Sequence, residues 1–322
     1  MELRTRHLGG FGKLASQGDF VTFGTRSDPA LRFQDYLFEA VENAYESEPS
    51  WRQTAASDRA FAFIYRTSSD APGEGLVVGV LRGSRDTTGR VFPFALYAVI
   101  DAAGLPEESH ILPLALGAFL EQASVALDDA IDGRTTSDPS RDLPAPSADQ
   151  LRAATTDYAV WTTSRTVEDV ALTLFNRKPR EGLARALGTV REILLPLSGL
   201  EPPRTRLAAR LPLGAAGSGA VSFWWDAARR LGNWQRNVPS LFWEGGVPEP
   251  QVLMHFGDVA PRALAELWVP NRNSTLVGDL SAASDAEPEP SDRPGVQPRD
   301  HDPIVALLEH RAMLVSEFLG AL

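Results

Sequence analysis

The 322-residue chain contains no cysteine. Disulfide staples, thiolate nucleophiles and cysteine-ligated zinc are therefore excluded, and stability has to come from packing. Lysine is nearly missing as well: only Lys13 and Lys178 occur, and arginine supplies the other basic side chains. Acidic residues outnumber basic ones by 42 to 31, giving a formal net charge of −11. A chain of that sign does not attract nucleic acid or an anionic membrane through its overall field. Long apolar runs are absent too. The longest, residues 111–120, contains Pro113 and Gly117 and falls short of the ~20 residues that span a bilayer. The opening Met1-Glu2-Leu3-Arg4-Thr5-Arg6-His7 leads into no apolar core of a secretory signal. The expectation is a cytoplasmic protein with protein partners, no nucleic acid and no membrane insertion.

Hydrophobic residues make up 43% of the chain, enough for a sizeable core. Residues 8–14 read as a short glycine-rich strand entering a loop. Ser27-Asp28-Pro29 announces a helix, with proline at a first-turn position where its missing N–H costs nothing. Phe33, Leu37, Ala40, Val41 and Ala44 then recur at helical spacing as far as Tyr45. Apolar runs at 60–65, 76–81 and 91–100, separated by short Gly/Asp/Ser loops, have the pattern of an antiparallel meander. Pro93 cannot donate to a ladder and is expected at a strand start or a bulge. A helix is expected over 111–127.

Residues 135–147, dense in Pro, Ser and Asp, read as a linker. They divide an N-terminal domain (1–134) from a C-terminal α/β region (148–280). In the latter, helices are expected near 148–157, 167–176, 181–195 and 261–268. Thr166 with Asp169 resembles a capping box. Strands are expected at 206–213, 220–225, 239–243 and 251–256, with the glycine-rich 214–219 as a flexible connection. Residues 281–303 hold five prolines and six acidic residues against two basic ones. Such a segment buries too little apolar surface to offset its ordering entropy, so an extended or disordered linker is expected. An amphipathic helix, 304–322, follows; it either docks on the chain's own core or serves a partner's groove. The fold class is α+β: a mainly antiparallel central sheet flanked by helices, with a smaller C-terminal α/β unit and a terminal helix. Whether the two halves share one sheet stays open.

Chemical motifs are sparse. Gly9-Gly10-Phe11-Gly12-Lys13 suggests a phosphate loop, but Leu14 stands where a magnesium-binding hydroxyl is required. The histidines (His7, His110, His255, His301 and His310) show no i, i+4 pair that places two imidazoles on one helical face. Asp128, Asp129 and Asp132 sit at a helix end and read as solvated. A hydrolase triad assembled from distant groups such as Ser16, Asp19 and His255 is the alternative enzymatic reading, although no G-x-S-x-G elbow is present. The expectation is no catalytic residues, no cofactor and no metal. Five of the seven tryptophans lie in the last hundred residues. Adjacent Trp224 and Trp225 on one strand would face opposite sides of the sheet, so one ring is a candidate for partner contact.

Two segments resemble a known family. Gly10-Phe11-Gly12-Lys13-Leu14-Ala15-Ser16-Gln17-Gly18-Asp19-Phe20-Val21 is similar to the opening of TagF (ImpM) proteins, G-x-x-G-K-L-P-S-x-G-D-F. Ser84-Arg85-Asp86-Thr87-Thr88-Gly89-Arg90-Val91-Phe92-Pro93-Phe94 resembles the same family's S-x-D-x-x-G-R-x-[FY]-P. The resemblance covers about residues 8–130; Ser222-Phe223-Trp224-Trp225 and Pro239-Ser240-Leu241 are similar to later parts of such proteins. Ala15 replaces the usual proline, and Gln17 stands where a basic residue is frequent. The resemblance implies a non-catalytic, post-translational repressor of type VI secretion assembly. Its partner would be the forkhead-associated scaffold protein of the secretion system. A structural component of the apparatus is a further alternative. The oligomeric state is not legible. Partner-binding candidates are Lys13, Ser16, Asp19, Arg85, Asp86, Arg90 and Trp224. Asp19 and Arg90 are expected to pair across the two loops, with Lys13 and Arg85 exposed.

Overall fold

The computed structural model describes residues 3–281 and 303–322, apart from 48–49, 56–57, 68–74, 102–104, 106–107, 136, 201–202, 246 and 272–273. Nine strands form a single open sheet: β1 (Thr5–Lys13), β2 (Phe20–Gly24), β3 (Ala60–Arg66), β4 (Gly75–Arg85), β5 (Val91–Asp101), β6 (Ala208–Pro212), β7 (Ser240–Trp243), β8 (Gln251–His255) and β9 (Val277–Asp279). Their order is β2-β1-β5-β4-β3-β7-β8-β6-β9. Every pairing is antiparallel except β6 with β9. The two halves of the sequence meet where β7 pairs with β3, in the register Phe63 to Phe242, so they share one sheet.

Helices cover both faces. The first layer holds α1 (Asp28–Ser47), α2 (Trp51–Thr54) and α9 (Ala265–Trp268). The second holds α3 (Leu112–Ala115), α4 (Gly117–Ile131), α5 (Ala148–Thr163), α6 (Val167–Leu174), α7 (Pro179–Leu194), α8 (Ser218–Leu231), α10 (Pro303–Leu308) and α11 (Val315–Ala321). Strand alternation supplies a separate core to each layer. On β5, Phe94, Leu96, Ala98 and Ile100 join the second layer, while Ala95, Tyr97 and Val99 join the first. Because both faces are covered, β4 and β5 are apolar at nearly every position instead of alternating with polar residues. The α+β reading therefore holds, with an antiparallel sheet between helical layers.

Four local expectations need correction. First, β2 was not legible: five residues directly after Gly18-Asp19 are too short a run to separate from a loop. Second, Pro93 lies within β5, opposite Gly83. Third, residues 218–231 are helical, not a strand after a flexible connection. A six-residue apolar run does not distinguish strand from buried helix. What decides is its continuation, in which Asp226 pairs with Arg229 and Arg230 at i+3 and i+4. Fourth, the terminal segment is two short helices. They dock on the chain itself: Ile304, Leu308, Val315, Phe318 and Leu319 are buried, and Val167 N donates to Met313 O at 2.9 Å. The capping box of Thr166 and Asp169 is present at α6. Within 135–147, Leu143 is buried and Pro146 O accepts from Thr5 Oγ1 at 2.9 Å. The Pro-rich acidic segment, 281–303, lies almost entirely outside the described residues.

His255 sits in β8 with 0% exposure, and neither ring nitrogen has a hydrogen-bond partner. Burial pushes its pKa down to about 3. An unfolded histidine titrates near 6.5, so between those values the unfolded chain binds the extra proton. Stability is then complete above the unfolded value and falls as pH drops through the window. His255→Leu should leave stability at pH 7 unchanged or raised. At pH 5 it should recover about 2 kcal/mol relative to the unmodified chain, read from urea midpoints at the two pH values.

Candidate functional site

Both family-like segments come together at one end of the sheet. β1 ends at Lys13, and Gln17 N donates to Leu14 O at 3.0 Å to turn the chain toward β2. β4 ends at Arg85. The turn into β5 is closed by Gly89 N to Asp86 O at 2.9 Å and Asp86 N to Arg90 O at 3.1 Å. Gly89 supplies the positive φ, 82°, that this turn needs. Two bonds tie the loops to each other: Thr87 N to Gln17 O at 3.1 Å and Arg90 Nη2 to Gly18 O at 2.7 Å. Gly12 makes the approach possible. Its φ is +139°, and a Cβ there would lie 2.1 Å from Pro93 O.

Asp86 is the centre of this seam, with 0% side-chain exposure. Its Oδ1 accepts from Thr88 N at 2.9 Å, Thr88 Oγ1 at 2.7 Å and Arg90 N at 2.9 Å. Its Oδ2 accepts from Arg90 Nε at 2.7 Å and from Lys13 Nζ. Desolvation acts to raise the pKa. The hydrogen bonds from Lys13, Thr88 and Arg90 outweigh it and hold the carboxyl well below the usual carboxylate range. The Lys13 ammonium also lies 4.7 Å from the centroid of the Phe20 ring. Both partners are thus committed: a buried ammonium in an ion pair is no nucleophile, and a carboxylate with five donors is no general base.

Beside the seam is an aromatic cluster. Phe20 stands 4.9 Å from Phe38 and 4.9 Å from Phe92, and Phe11 stacks on Phe20 at 5.7 Å. Phe38, on α1, is 43% exposed. The surface that remains consists of Ser16, Gln17, Asp19, Arg85, Thr87, Thr88 and the outer part of Arg90, with Phe38 alongside.

The structure brings Lys13, Ser16, Asp19, Arg85, Asp86 and Arg90 into this one region and changes some of their parts. Lys13 is buried, not exposed, because Asp86 draws it inward. Arg90 pairs with Asp86 and not with Asp19, whose Oδ1 accepts instead from Phe20 N at 2.8 Å. Arg85 is exposed as expected, and its side chain has no hydrogen-bond partner among the described residues. Trp224 is elsewhere: it is buried on α8, with its Nε1 donating to Pro212 O at 2.7 Å. Trp225 is fully buried too, so neither ring lies on the surface. On a helix the two rings point about 100° apart, and α8 is enclosed widely enough to cover both. Phe38 was missed by sequence reasoning. Its exposure on the polar side of an amphipathic helix is a signal that only the helical register displays.

Ser16 and His255 do not form a hydrogen-bonded pair: Ser16 is on the exposed loop, and His255 is in the core without a partner. A different buried cluster exists around Asp226, which accepts from Arg229 and Arg230 at 2.9 Å each and lies 3.8 Å from His110 Nε2. Burial, partly opposed by Asp226, pushes the His110 pKa down to about 4. No single helix among the described residues is long and apolar enough to cross a membrane.

The fold and the seam define an α+β protein whose glycine-rich hairpin is clamped against the β4–β5 turn by a buried ion pair. Residues 9–143 match the model of the TagF N-terminal domain, type VI secretion system-associated. Residues 9–143 of the chain are thus a TagF N-terminal domain, which is type VI secretion system-associated. No curated protein matches it. Among solved structures, PA0076 from Pseudomonas aeruginosa PAO1 is similar, with 16% identity and a TM-score of 0.46 over 82% of this chain and 94% of that one.

Proposed function

We propose that the chain is a non-catalytic, cytoplasmic regulator of type VI secretion assembly, a post-translational repressor that acts by binding a protein. Its docking face is the seam between residues 14–19 and 85–90, and its partner is the forkhead-associated scaffold protein of the secretion system. The observation that carries this reading is the allocation of the seam's polar groups. Lys13 and Asp86 are consumed in fixing backbone geometry, while Arg85, Ser16 and Phe38 are held out on a surface that is already ordered. An ordered face loses little entropy on association, and exposed arginine and aromatic side chains are the residue types that dominate binding energy.

Calorimetric titration of the scaffold protein with the full chain tests the reading. Arg85→Glu, which touches no internal hydrogen bond, should weaken binding by about tenfold or more and leave the melting temperature unchanged. Binding of equal strength by Arg85→Glu and Phe38→Ser would remove the seam as the docking face.

A further inference from the structure

Helix α4 turns one face to the second-layer core, where Phe119, Leu120, Ala123 and Leu127 are buried. On its outer side, Glu121, Val125 and Asp129 recur every four residues and form a ridge. Val125 is 60% exposed, the highest value for a large apolar side chain among the described residues. The chain reverses at Gly133, whose φ is 71°, and returns beside this ridge. The returning segment is fixed in place. Arg134 N donates to Asp129 O at 2.8 Å, Asp138 Oδ1 accepts from Ser140 N at 2.9 Å and from Ser140 Oγ at 2.7 Å, and Leu143 is buried. It does not close on α4: a groove of about 440 Å³ remains between them, within the size range of ligand pockets.

The lining of this groove combines two properties. It is apolar at Val125, Ala126, Pro139 and Leu143. It also carries four carboxylates, Glu121, Asp129, Asp138 and Asp142, and no basic side chain among the described residues lines it. Asp129 is held by Arg134 at 2.6 Å, and Asp138 by Ser140. Glu121 and Asp142 make no hydrogen bond or ion pair with any described residue. A solvated carboxylate or a lone exposed valine is ordinary on an acidic chain. Their meeting in one preformed groove calls for an occupant that is apolar along its length and cationic at its end. Arginine is such a group: its methylene stem packs on apolar surface, while its planar guanidinium presents five donors to carboxylates. Because Glu121, Val125 and Asp142 are exposed, the groove is open on one side, and a free amine in it would stay largely hydrated. A side chain presented on a protein segment brings apolar neighbours that cover Val125.

We propose that this groove receives an arginine of a partner protein, in a segment that also carries an apolar residue beside it. The site is separate from the seam, none of whose residues lines the groove.

Amide resonances of the full chain, followed during titration with a blocked pentapeptide in which one arginine is flanked by two leucines, test the proposal. The shifts should concentrate at residues 121–129 and 137–143. Citrulline in place of the arginine keeps the shape and removes the charge. It should weaken binding by about tenfold or more, and so should the paired substitution Glu121→Gln and Asp142→Asn in the chain. Neither carboxylate has an internal bond to lose, so the melting temperature of that variant should be unchanged. N-acetylarginine amide, which lacks the leucines, should bind less tightly than the peptide. Arg85→Glu should leave the titration as it is, which tells a failure of the seam apart from a failure of the groove. Shifts spread over the acidic surface, a peptide indifferent to the paired substitution, or N-acetylarginine amide binding as tightly as the peptide overturns the proposal.

Discussion

In Asp86→Ala, amides in residues 14–19 and 85–90 should exchange about tenfold faster or more than in the unmodified chain, while those of β4 and β7 keep their protection. The substitution removes an acceptor that serves five donors. Lys13 is left with its ammonium in a buried site and no counter-ion, which is more unfavourable than never having had the pair. The backbone amides of Thr88 and Arg90 lose their acceptor at the same step, so the turn that positions Arg85 opens. Scaffold binding should be lost together with the order of the loops. Lys13→Met, which keeps the bonds from Thr88 and Arg90, should have a milder effect on both. The acid dependence has a definite sign. Because the folded carboxyl titrates below its unfolded range, its contribution is complete at neutral pH and is lost only as pH falls toward the folded value. Asp86→Ala should therefore flatten the acid limb of stability below about pH 4.

Trp225→Ala should lower the free energy of unfolding by about 3–5 kcal/mol, measured by urea denaturation, and should do so without touching the seam. Its ring is fully buried, on a helix that packs against α3, α5 and α7 in the second layer. Removing it opens a cavity among side chains that relax only in part. Trp224→Ala adds the loss of the bond to Pro212 O, which ties α8 to the end of β6. The amides of 14–19 and 85–90 should keep their local protection in Trp225→Ala under native conditions. That contrast with Asp86→Ala separates damage to the core from damage to the site.

Much of this arrangement was legible in the sequence because it rests on local rules. The 3.6-residue spacing of Phe33, Leu37, Val41 and Ala44 defines α1, and the reciprocal bonds of Thr166 and Asp169 mark the start of α6. The meander 60–101 shows itself through β-branched and aromatic runs between turn residues. The failures share one cause, which is that tertiary contacts decided them. Residues 220–225 satisfy strand and helix equally until Asp226 finds Arg229 and Arg230. Lys13 reads as a surface residue until Asp86, seventy-three positions away, draws it inward. Both loops of the site were visible as polar, glycine-bearing turns. Their pairing was not, because Asp19 and Asp86 are equivalent partners for Arg90 until the register of β1, β4 and β5 is known.

The most direct measurement is amide exchange of the full chain with and without the scaffold protein bound. If the seam is the docking face, protection on binding should concentrate at residues 14–19 and 85–90 and along the exposed side of α1 around Phe38. Protection confined to other surfaces, with these loops exchanging as they do in the free chain, contradicts it.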